Sequence, residues 1–323
     1  MTSNRFWKIA GWSVVAIGIL IGSALIYLTG FKLRSKPEAI KVEVTPARIE
    51  AGRYLANHVM VCIDCHSTRD WQLFSGPLKA GTEGSGGEIF SEELGFPGKF
   101  VAKNITPFNL KNWTDAELLR AITEGVDKRN MPLFPVMPYP YYGKLDREDI
   151  YSIIAYLRTL PEKAVTPDPS YTSFPFSLIM YMIPQKAAFE QKPPKSDTIA
   201  YGKYLVTAAV CIDCHTVARR GKIDRTKAFA GGREFIVPPK TVVSANITPS
   251  VATGIGRWTP EAFIARFKAY DPKVNPMPKT DNVGFNTIMP WSMYAGMDSL
   301  DLRAIYRYLQ TLQPVENEVQ KIR

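Results

Sequence analysis

One pentapeptide constrains this chain more than any other feature: Cys-Ile-Asp-Cys-His occurs at residues 62–66 and again at residues 211–215. The two copies contain all 4 cysteines and two of the 3 histidines of the 323-residue chain. No cysteine therefore remains for a disulfide framework, a separate zinc site or a catalytic thiol. Because only His58 lies outside the copies, the sequence also disfavours a Ser-His-Asp triad and a histidine-rich metal cluster.

The pentapeptides belong to a longer internal duplication. Each copy contains, in the same order, a Gly-(Arg/Lys)-Tyr-Leu start, an Asn-Ile-Thr-Pro segment, a Met-Pro pair and a closing helix pattern. These features lie at residues 52–55, 104–107, 137–138 and 149–160 in the first copy, and at residues 202–205, 246–249, 289–290 and 301–312 in the second. We refer to residues 52–160 as the first repeat and to residues 202–312 as the second repeat. The duplication predicts that both repeats fold alike.

The pattern of both repeats is helical. Thr114 and Glu117 have the spacing of a capping box, and the closing segments carry apolar residues at helical intervals. No run of alternating strands appears, so we predict an all-α chain. Gly52 and Gly202 would permit the first and last helices of each repeat to approach closely. The tyrosine pairs expected at these crossings are Tyr54 with Tyr156 and Tyr204 with Tyr308.

The pentapeptide matches the attachment sequence of c-type haem, in which two thiols one helical turn apart bond the two vinyl groups. The adjacent histidine then supplies the proximal iron ligand. A redox dithiol would not require the histidine, and a structural zinc site normally needs four ligands. We therefore predict two covalently attached haem c groups. The attachment residues are Cys62, Cys65, Cys211 and Cys214, and the proximal ligands are His66 and His215.

The duplication also selects a distal ligand for each predicted haem. Met137 and Met289 both precede a proline, and each lies 12 residues before the aspartate that opens its closing helix pattern. A thioether ligand raises the reduction potential and fills the second axial position, which suits electron transfer. Two alternatives stay open: these are core methionines and another Met binds, or one haem remains five-coordinate.

The N-terminal segment predicts a membrane anchor. Residues 10–31 carry no charge, and about 20 apolar residues suffice to cross a bilayer as a helix. A cleaved signal peptide is the alternative, although its apolar region is usually shorter. Because c-type haem is attached outside the cytoplasm, we expect the N-terminus inside and residues 37–323 in the periplasm, in a bacterial inner membrane.

A proline-rich linker, residues 162–196, separates the repeats. The predicted organisation is therefore an anchor (1–36), a first domain (37–161), the linker and a second domain (197–323). Within the linker, residues 174–183 are mainly apolar but too few to span a bilayer. This segment is interpreted either as a strap packed across both domains or as a contact with a partner subunit or the membrane surface.

The net charge of +10 does not require a nucleic-acid partner. Residues 1–36 hold five basic residues, Lys32, Arg34 and Lys36 among them, and no acidic residue. The carboxylates of the haem propionates would offset most of the positive charge that remains on residues 37–323. We predict no nucleic-acid binding. A basic run at residues 219–227 is interpreted as a solvated loop, with a propionate contact or a docking patch for an acidic protein as the alternative.

These motifs resemble those of the multihaem cytochrome c subunits of membrane-bound alcohol, gluconate and sugar dehydrogenases. The similarity covers most of residues 50–313 and is clearest from residues 202–205 through 246–259. It implies two small helical cytochrome c domains of the class I type and electron transfer from a partner dehydrogenase toward quinone or a terminal oxidase. Those subunits usually have three haem domains, whereas this sequence has two attachment motifs.

The resulting prediction is a membrane-anchored dihaem cytochrome c that relays single electrons and is not an enzyme by itself. Its partners would be a redox protein or the subunits of a respiratory complex. The alternative from another class is a dihaem peroxidase, which needs one haem with an open distal side. His58 is the residue available as a distal catalyst, and we expect it instead to be a surface or packing residue.

Overall fold

The computed structural model describes residues 3–27, 39–219 and 221–323. The expected boundary at residues 36/37, the basic residues Lys32, Arg34 and Lys36, and Arg220 of the basic run lie outside these ranges. The helices are α1 (Ser3–Ile26), α2 (Pro46–Tyr54), α3 (Cys62–Cys65), α4 (Pro107–Leu110), α5 (Asp115–Glu124), α6 (Tyr139–Tyr142), α7 (Arg147–Thr159), α8 (Phe176–Ile179), α9 (Thr198–Ala208), α10 (Cys211–Cys214), α11 (Pro260–Lys268), α12 (Thr280–Val283), α13 (Trp291–Tyr294) and α14 (Ser299–Gln310). The strands are β1 (Ile89–Phe90), β2 (Gly98–Val101), β3 (Tyr171–Thr172), β4 (Ala218–Arg219), β5 (Lys222–Ile223), β6 (Glu234–Val237) and β7 (Lys240–Val243).

Helix α1 has the length and composition of a membrane-spanning helix. Its apolar stretch, Arg5–Ile26, has a mean hydropathy of 2.2 over its best window, and none of that window is buried. At 1.5 Å per residue, 22 residues extend about 33 Å, which matches the hydrocarbon thickness of a bilayer.

Helices dominate both repeats, but the all-α description omits three small antiparallel sheets. Strands β1, β2 and β3 form one sheet, and β4 with β5 and β6 with β7 form two hairpins. Each strand has only two to four residues. Four of the described strands have two residues and three have four, so all are at or below the shortest run in which alternation is recognised, and the sequence did not indicate them.

The first and last helices of each repeat cross at the predicted glycines. A Cβ on Gly52 would lie 1.9 Å from the Ser152 carbonyl oxygen of α7, and one on Gly202 would lie 2.0 Å from the Ala304 carbonyl oxygen of α14. Both helix pairs therefore approach backbone to backbone, where no side chain fits. The close approach that the sequence predicted at Gly52 and Gly202 is confirmed.

A π-helix distinguishes the first repeat from the second. Gly52 precedes Cys62 by ten residues, whereas Gly202 precedes Cys211 by nine. The extra residue is absorbed in a π-helical turn over Leu55–Val59, whose last bond runs from the Met60 N–H to the Leu55 carbonyl at 2.8 Å. Single-residue π insertions of this kind are frequent near functional sites.

Two reciprocal tyrosine–aspartate contacts join the repeats. The Tyr204 hydroxyl of α9 donates to Asp149 Oδ2 of α7 at 2.6 Å, and the Tyr54 hydroxyl of α2 donates to Asp301 Oδ2 of α14 at 2.8 Å. Each hydroxyl also accepts the N-cap main-chain N–H of the helix that it reaches, at 3.1 and 3.0 Å respectively. The hydroxyls of Tyr54 and Tyr204 thus bond to the opposite repeat, and one buried apolar cluster includes side chains of both repeats.

The linker contacts both repeats. Strand β3 extends the sheet of the first repeat, the Lys192 ammonium pairs with Asp149, and the Lys195 ammonium pairs with Asp301 at 3.1 Å. These contacts come from linker residues outside 174–183, so the interpretation of that segment as a strap across both domains stays a prediction. Several apolar side chains within the segment are exposed: Phe174, Phe176, Leu178, Ile179 and Met182.

Candidate functional sites

Each pentapeptide forms a single helical turn that begins at a strained residue. Val61 precedes α3 with φ +46°, and Val210 precedes α10 with φ +54°. The left-handed region is unusual for a β-branched residue, and such strain is typical of functional sites. In both copies the turn places the two cysteines three residues apart on one face, because residues i and i+3 are neighbours on a helix.

None of the four cysteines forms a disulfide, and each side chain is half-buried. Burial raises the pKa of Cys62, Cys65 and Cys211 to about 12 and that of Cys214 to about 11. All four side chains are therefore neutral thiols at neutral pH. Two thiols on one turn of helix supply what addition to two vinyl groups requires.

The two motif histidines are held in the same way. His66 Nδ1 lies 2.7 Å from the Lys103 carbonyl oxygen, and His215 Nδ1 lies 2.8 Å from the Ala245 carbonyl oxygen. A carbonyl only accepts, so Nδ1 carries the proton in both rings and Nε2 keeps its lone pair. Burial lowers the pKa of both imidazoles, which further favours the neutral form. An outer hydrogen bond of this kind orients a metal-ligating histidine.

Strands and glycines bring these carbonyls to the histidines. Lys103 follows β2 and Ala245 follows β7, each at the position just before the Asn-Ile-Thr-Pro segment. The Gly231 N–H donates to the His215 carbonyl at 2.8 Å, and its φ of +71° requires a residue that adopts the left-handed region without strain. A Cβ at this position would lie 2.4 Å from the Ser244 carbonyl oxygen, so only glycine fits beside the main chain that follows β7.

The Asn-Ile-Thr-Pro segments fix the loop that carries each carbonyl. Asn104 Oδ1 accepts the Thr106 N–H at 2.9 Å, and Asn246 Oδ1 accepts the Thr248 N–H at 2.9 Å. The amide groups of the same asparagines donate to main-chain carbonyls of the segments that leave α7 and α14, at 2.8 Å. Both asparagines are buried, so these motifs act as structural staples behind the histidines.

The predicted distal methionines have equivalent local geometry. The Tyr139 N–H donates to the Met137 carbonyl and the Trp291 N–H donates to the Met289 carbonyl, both at 2.8 Å. Each Met-Pro pair then enters a single-turn helix, α6 or α13, and both methionine side chains are half-buried at the edge of the core. This equivalence agrees with the sequence assignment of Met137 and Met289 as a matched pair.

Other methionines have environments that differ between the repeats or belong to the core. Met297 occupies the position of Leu145, and both side chains are 1% exposed. Met131 is 43% exposed whereas Met277 is 9% exposed, although each is followed by proline. These side chains therefore lack the matched placement that Met137 and Met289 share.

Sequence reasoning missed a matched pair of buried tyrosines. The Tyr142 hydroxyl donates to the Met60 carbonyl and the Tyr294 hydroxyl donates to the Ala209 carbonyl, both at 3.0 Å. Each fixes the main chain two residues before a pentapeptide. Burial raises the pKa of both phenols well above the ordinary value, so both remain protonated donors. The signal was present, because each tyrosine lies five residues after its Met-Pro methionine.

His58 packs between the repeats. Its Nδ1 bonds to the Met293 carbonyl at 2.9 Å, and the main chain at Gly296 is so close that a Cβ there would lie 2.1 Å from the ring. Burial lowers its pKa. Its contacts are those of an interface residue.

The described part of the basic run forms an exposed hairpin through β4 and β5.

The donor set at each pentapeptide fits a covalently bound haem. The thiols are neutral and share one helical face, and the adjacent imidazole has Nδ1 engaged and Nε2 available. The same arrangement occurs in both repeats, down to the strained valine and the carbonyl that orients the histidine.

Comparison with known proteins agrees with this arrangement. Residues 199–313 match the family model of cytochrome c. The chain is 27% identical over 313 residues to the cytochrome c subunit of the quinone-dependent alcohol dehydrogenase of Gluconacetobacter polyoxogenes, covering 91% of this chain and 61% of that protein. It is 29% identical over 255 residues to the fructose dehydrogenase cytochrome subunit of Gluconobacter japonicus, covering 73% of this chain and 48% of that protein. It is 28% identical over 249 residues to a diheme cytochrome c-type protein of Cereibacter sphaeroides, covering 73% of this chain and 78% of that protein.

The resemblance predicted from the motifs is therefore confirmed: the chain contains a cytochrome c domain and is homologous to cytochrome c subunits of dehydrogenases. A cytochrome c domain implies covalently bound haem c and a role in electron transfer. The chain spans about three fifths of the length of the alcohol dehydrogenase subunit that it matches.

Proposed function

We propose that this chain is a membrane-anchored dihaem cytochrome c that relays single electrons between a dehydrogenase or quinol-oxidising partner and a terminal acceptor. The observation that carries the proposal is the duplicated donor set, with His66 and His215 oriented by carbonyls at equivalent positions. Similarity to a diheme cytochrome c-type protein over 73% of the chain supports two haems rather than one.

In this proposal each repeat forms a tandem cytochrome c domain, residues 37–161 and 197–323, joined by the linker 162–196. The cysteines would hold the haems covalently, the histidines would supply the proximal nitrogen, and Met137 and Met289 would supply the distal sulfur. Haem iron with these two axial ligands exchanges one electron at a raised reduction potential. The protein's own residues supply the rest: main-chain carbonyls orient the imidazoles, and a methionine ligand at each haem would leave no site open for peroxide.

The proposed location is the periplasmic face of a bacterial inner membrane. Helix α1 would anchor the chain as a single span with the N-terminus inside, and the haem domains would lie outside, where c-type haem is attached. The proposed partners are a redox protein or the subunits of a respiratory complex. This role requires no substrate pocket, and the chain would not be an enzyme by itself.

Haem stoichiometry tests the proposal. Full-length protein from a host that matures c-type cytochromes should contain two covalent haems per chain by the pyridine haemochrome assay and intact mass. The double variants Cys62→Ser/Cys65→Ser and Cys211→Ser/Cys214→Ser serve as controls for each other, and each should retain one haem. Fewer than two haems in the unaltered chain would refute the dihaem proposal.

A further inference from the structure

The loop that follows the first pentapeptide reaches across to the second repeat. The Phe74 N–H donates to the Pro278 carbonyl at 2.8 Å, and the Thr280 N–H donates to the Gln72 carbonyl at 2.9 Å. Asn286 Nδ2 donates to a further carbonyl of this loop at 3.0 Å. The loop, residues 70–77, therefore lies directly against the segment that carries Met289.

Ser75 is the contact closest to that methionine. Its hydroxyl donates to the Met289 carbonyl at 2.6 Å and accepts the Trp291 N–H at 3.0 Å, while its own N–H donates to Asn286 Oδ1 at 2.8 Å. The side chain is completely buried. One residue of the first repeat thus fixes the main chain on both sides of the Met-Pro bond in the second.

The backbone of Ser75 adopts a conformation that ordinarily favours glycine. Its φ is +68°, and a non-glycine residue in the left-handed region persists when its surroundings hold it there. The neighbouring Gly76 also has a positive φ, so two successive residues take this turn. The serine hydroxyl provides the contacts that a glycine at this position would lack.

A buried ion pair connects Ser75 to the first pentapeptide. Arg69 Nη2 donates to the Ser75 carbonyl at 2.7 Å, and Arg69 Nε donates to the Gly76 carbonyl at 2.8 Å. Arg69 Nη1 lies 3.3 Å from Asp64 Oδ2, and both side chains are less than a tenth exposed. Asp64 stands between Cys62 and Cys65, so a continuous polar chain joins one attachment turn to the Met289 loop.

The connection from the second repeat to the segment that carries Met137 is weaker. The Met137 carbonyl accepts the Tyr139 N–H of its own repeat, and the described residues of the second repeat donate no hydrogen bond to it. The second pentapeptide contacts the segment after Met137 through Asp213, whose carboxylate accepts a hydrogen bond from the Tyr141 hydroxyl at 3.4 Å. The Asp213 side chain is 41% exposed, unlike the buried Asp64.

We propose that Ser75 is a positioning residue for Met289, and that the Asp64–Arg69–Ser75 chain makes the distal geometry of the second site depend on the first repeat. The inference rests on the proposed function, because it takes Met289 as the distal ligand. The dependence runs in one direction: a change at Ser75 alters the second haem and leaves the first unchanged.

The test compares Ser75→Ala with Ser292→Ala in the full-length, haem-loaded protein. Ser292 is a matched control, because its hydroxyl is also buried, lies three residues from Met289 and has no hydrogen-bond partner among the described residues. Ser75→Gly removes the same hydroxyl and tolerates φ +68° better, so it replaces Ser75→Ala if that variant does not fold.

Two readouts are measured for each variant. Hydrogen exchange of the peptide that contains Trp291 should accelerate about fivefold in Ser75→Ala, the factor that corresponds to about 1 kcal/mol. The ferric absorbance of Met–iron ligation should decrease, by no more than about one half since only one of two sites depends on Ser75, and one of the two potentials should shift downward. Ser292→Ala should change neither exchange nor potential.

The inference is overturned if Ser75→Ala matches Ser292→Ala in both exchange and potentials, or if the first haem shifts instead of the second. Haem content of the same samples separates this outcome from failure of the proposed function, which would appear as fewer than two haems in the unaltered chain.

Discussion

The interface between the repeats can be tested by removing single hydroxyl groups. Tyr204→Phe deletes the 2.6 Å donor to Asp149 and also the acceptor for the N-cap amide of α7. Tyr54→Phe deletes the 2.8 Å donor to Asp301 and the acceptor for the N-cap amide of α14. We expect both variants to lower the free energy of unfolding.

The structure predicts unequal losses. Asp149 and Asp301 are both buried, and a hydrogen bond to a charged group contributes about 1.5–3 kcal/mol. After Tyr204→Phe, Asp149 keeps the Lys192 ammonium, whereas after Tyr54→Phe, Asp301 keeps both Lys195 and the Tyr201 hydroxyl at 3.3 Å. We therefore expect a loss of about 3 kcal/mol for Tyr204→Phe and about 2 kcal/mol for Tyr54→Phe.

Urea denaturation of the full-length protein, followed by circular dichroism, measures these losses. Tyr308→Phe is the matched control, because Tyr308 lies in α14 and its hydroxyl makes no hydrogen bond to the described residues. This control should lose less than about 0.5 kcal/mol. If Tyr204→Phe is no less stable than Tyr308→Phe, the reciprocal contacts do not hold the repeats together and our reasoning is wrong.

Three further predictions concern the axial ligand, the helix crossing and pH. Met289→Ala should lower the potential of one haem, since it removes the proposed thioether ligand; redox titration measures this. Gly202→Ala should lower the free energy of unfolding by more than about 3 kcal/mol in urea denaturation, because the added Cβ would lie 2.0 Å from the Ala304 carbonyl oxygen. His58 has a pKa below its ordinary 6.5 in the folded state, so its stabilising contribution is complete above that pH and decreases as pH falls. His58→Gln should therefore flatten the dependence of stability on pH below about 6.5.

Each of these predictions has a contrary result. An unchanged potential and a retained Met–iron band in Met289→Ala would show that another residue is the ligand. Lys203→Ala, at the exposed neighbour in α9, is the control for Gly202→Ala, and equal stability of the two would contradict the crossing argument. An unaltered pH profile in His58→Gln would assign the acid sensitivity to other groups.

The sequence predicted the attachment turns and the helix crossings because short-range chemistry determines both. Two cysteines and a histidine within five residues indicate a single helical turn. A glycine two residues before a tyrosine, in each of two matching helices, indicates that a second helix approaches closely there. Comparing the copies also placed Met137 and Met289 in equivalent positions, although their ligation stays a prediction.

The interface could not be predicted, since its contacts join residues far apart in sequence. In the sequence, Asp149 and Asp301 only define the distance to Met137 and Met289. In the structure they accept hydrogen bonds from the hydroxyls of Tyr204 and Tyr54. Ser75 belongs to no recognisable motif, and its hydrogen-bond partner Met289 lies more than 200 residues away in the sequence. The π-helix did have a signal, the extra residue between Gly52 and Cys62, but a difference of one residue does not reveal how the chain absorbs it.

The linker between the repeats has a thermodynamic consequence. A linker whose length matches the distance between the parts that it joins gives them an effective concentration in the millimolar range. Two repeats that as separate molecules bound with a Kd of only about 10 μM, about 7 kcal/mol, would then be associated about 99% of the time. The linker also pairs with Asp149 and Asp301, which shortens the free span further. The repeats can therefore stay together even if the interface alone is of modest affinity, and cutting the linker would make their association depend on protein concentration.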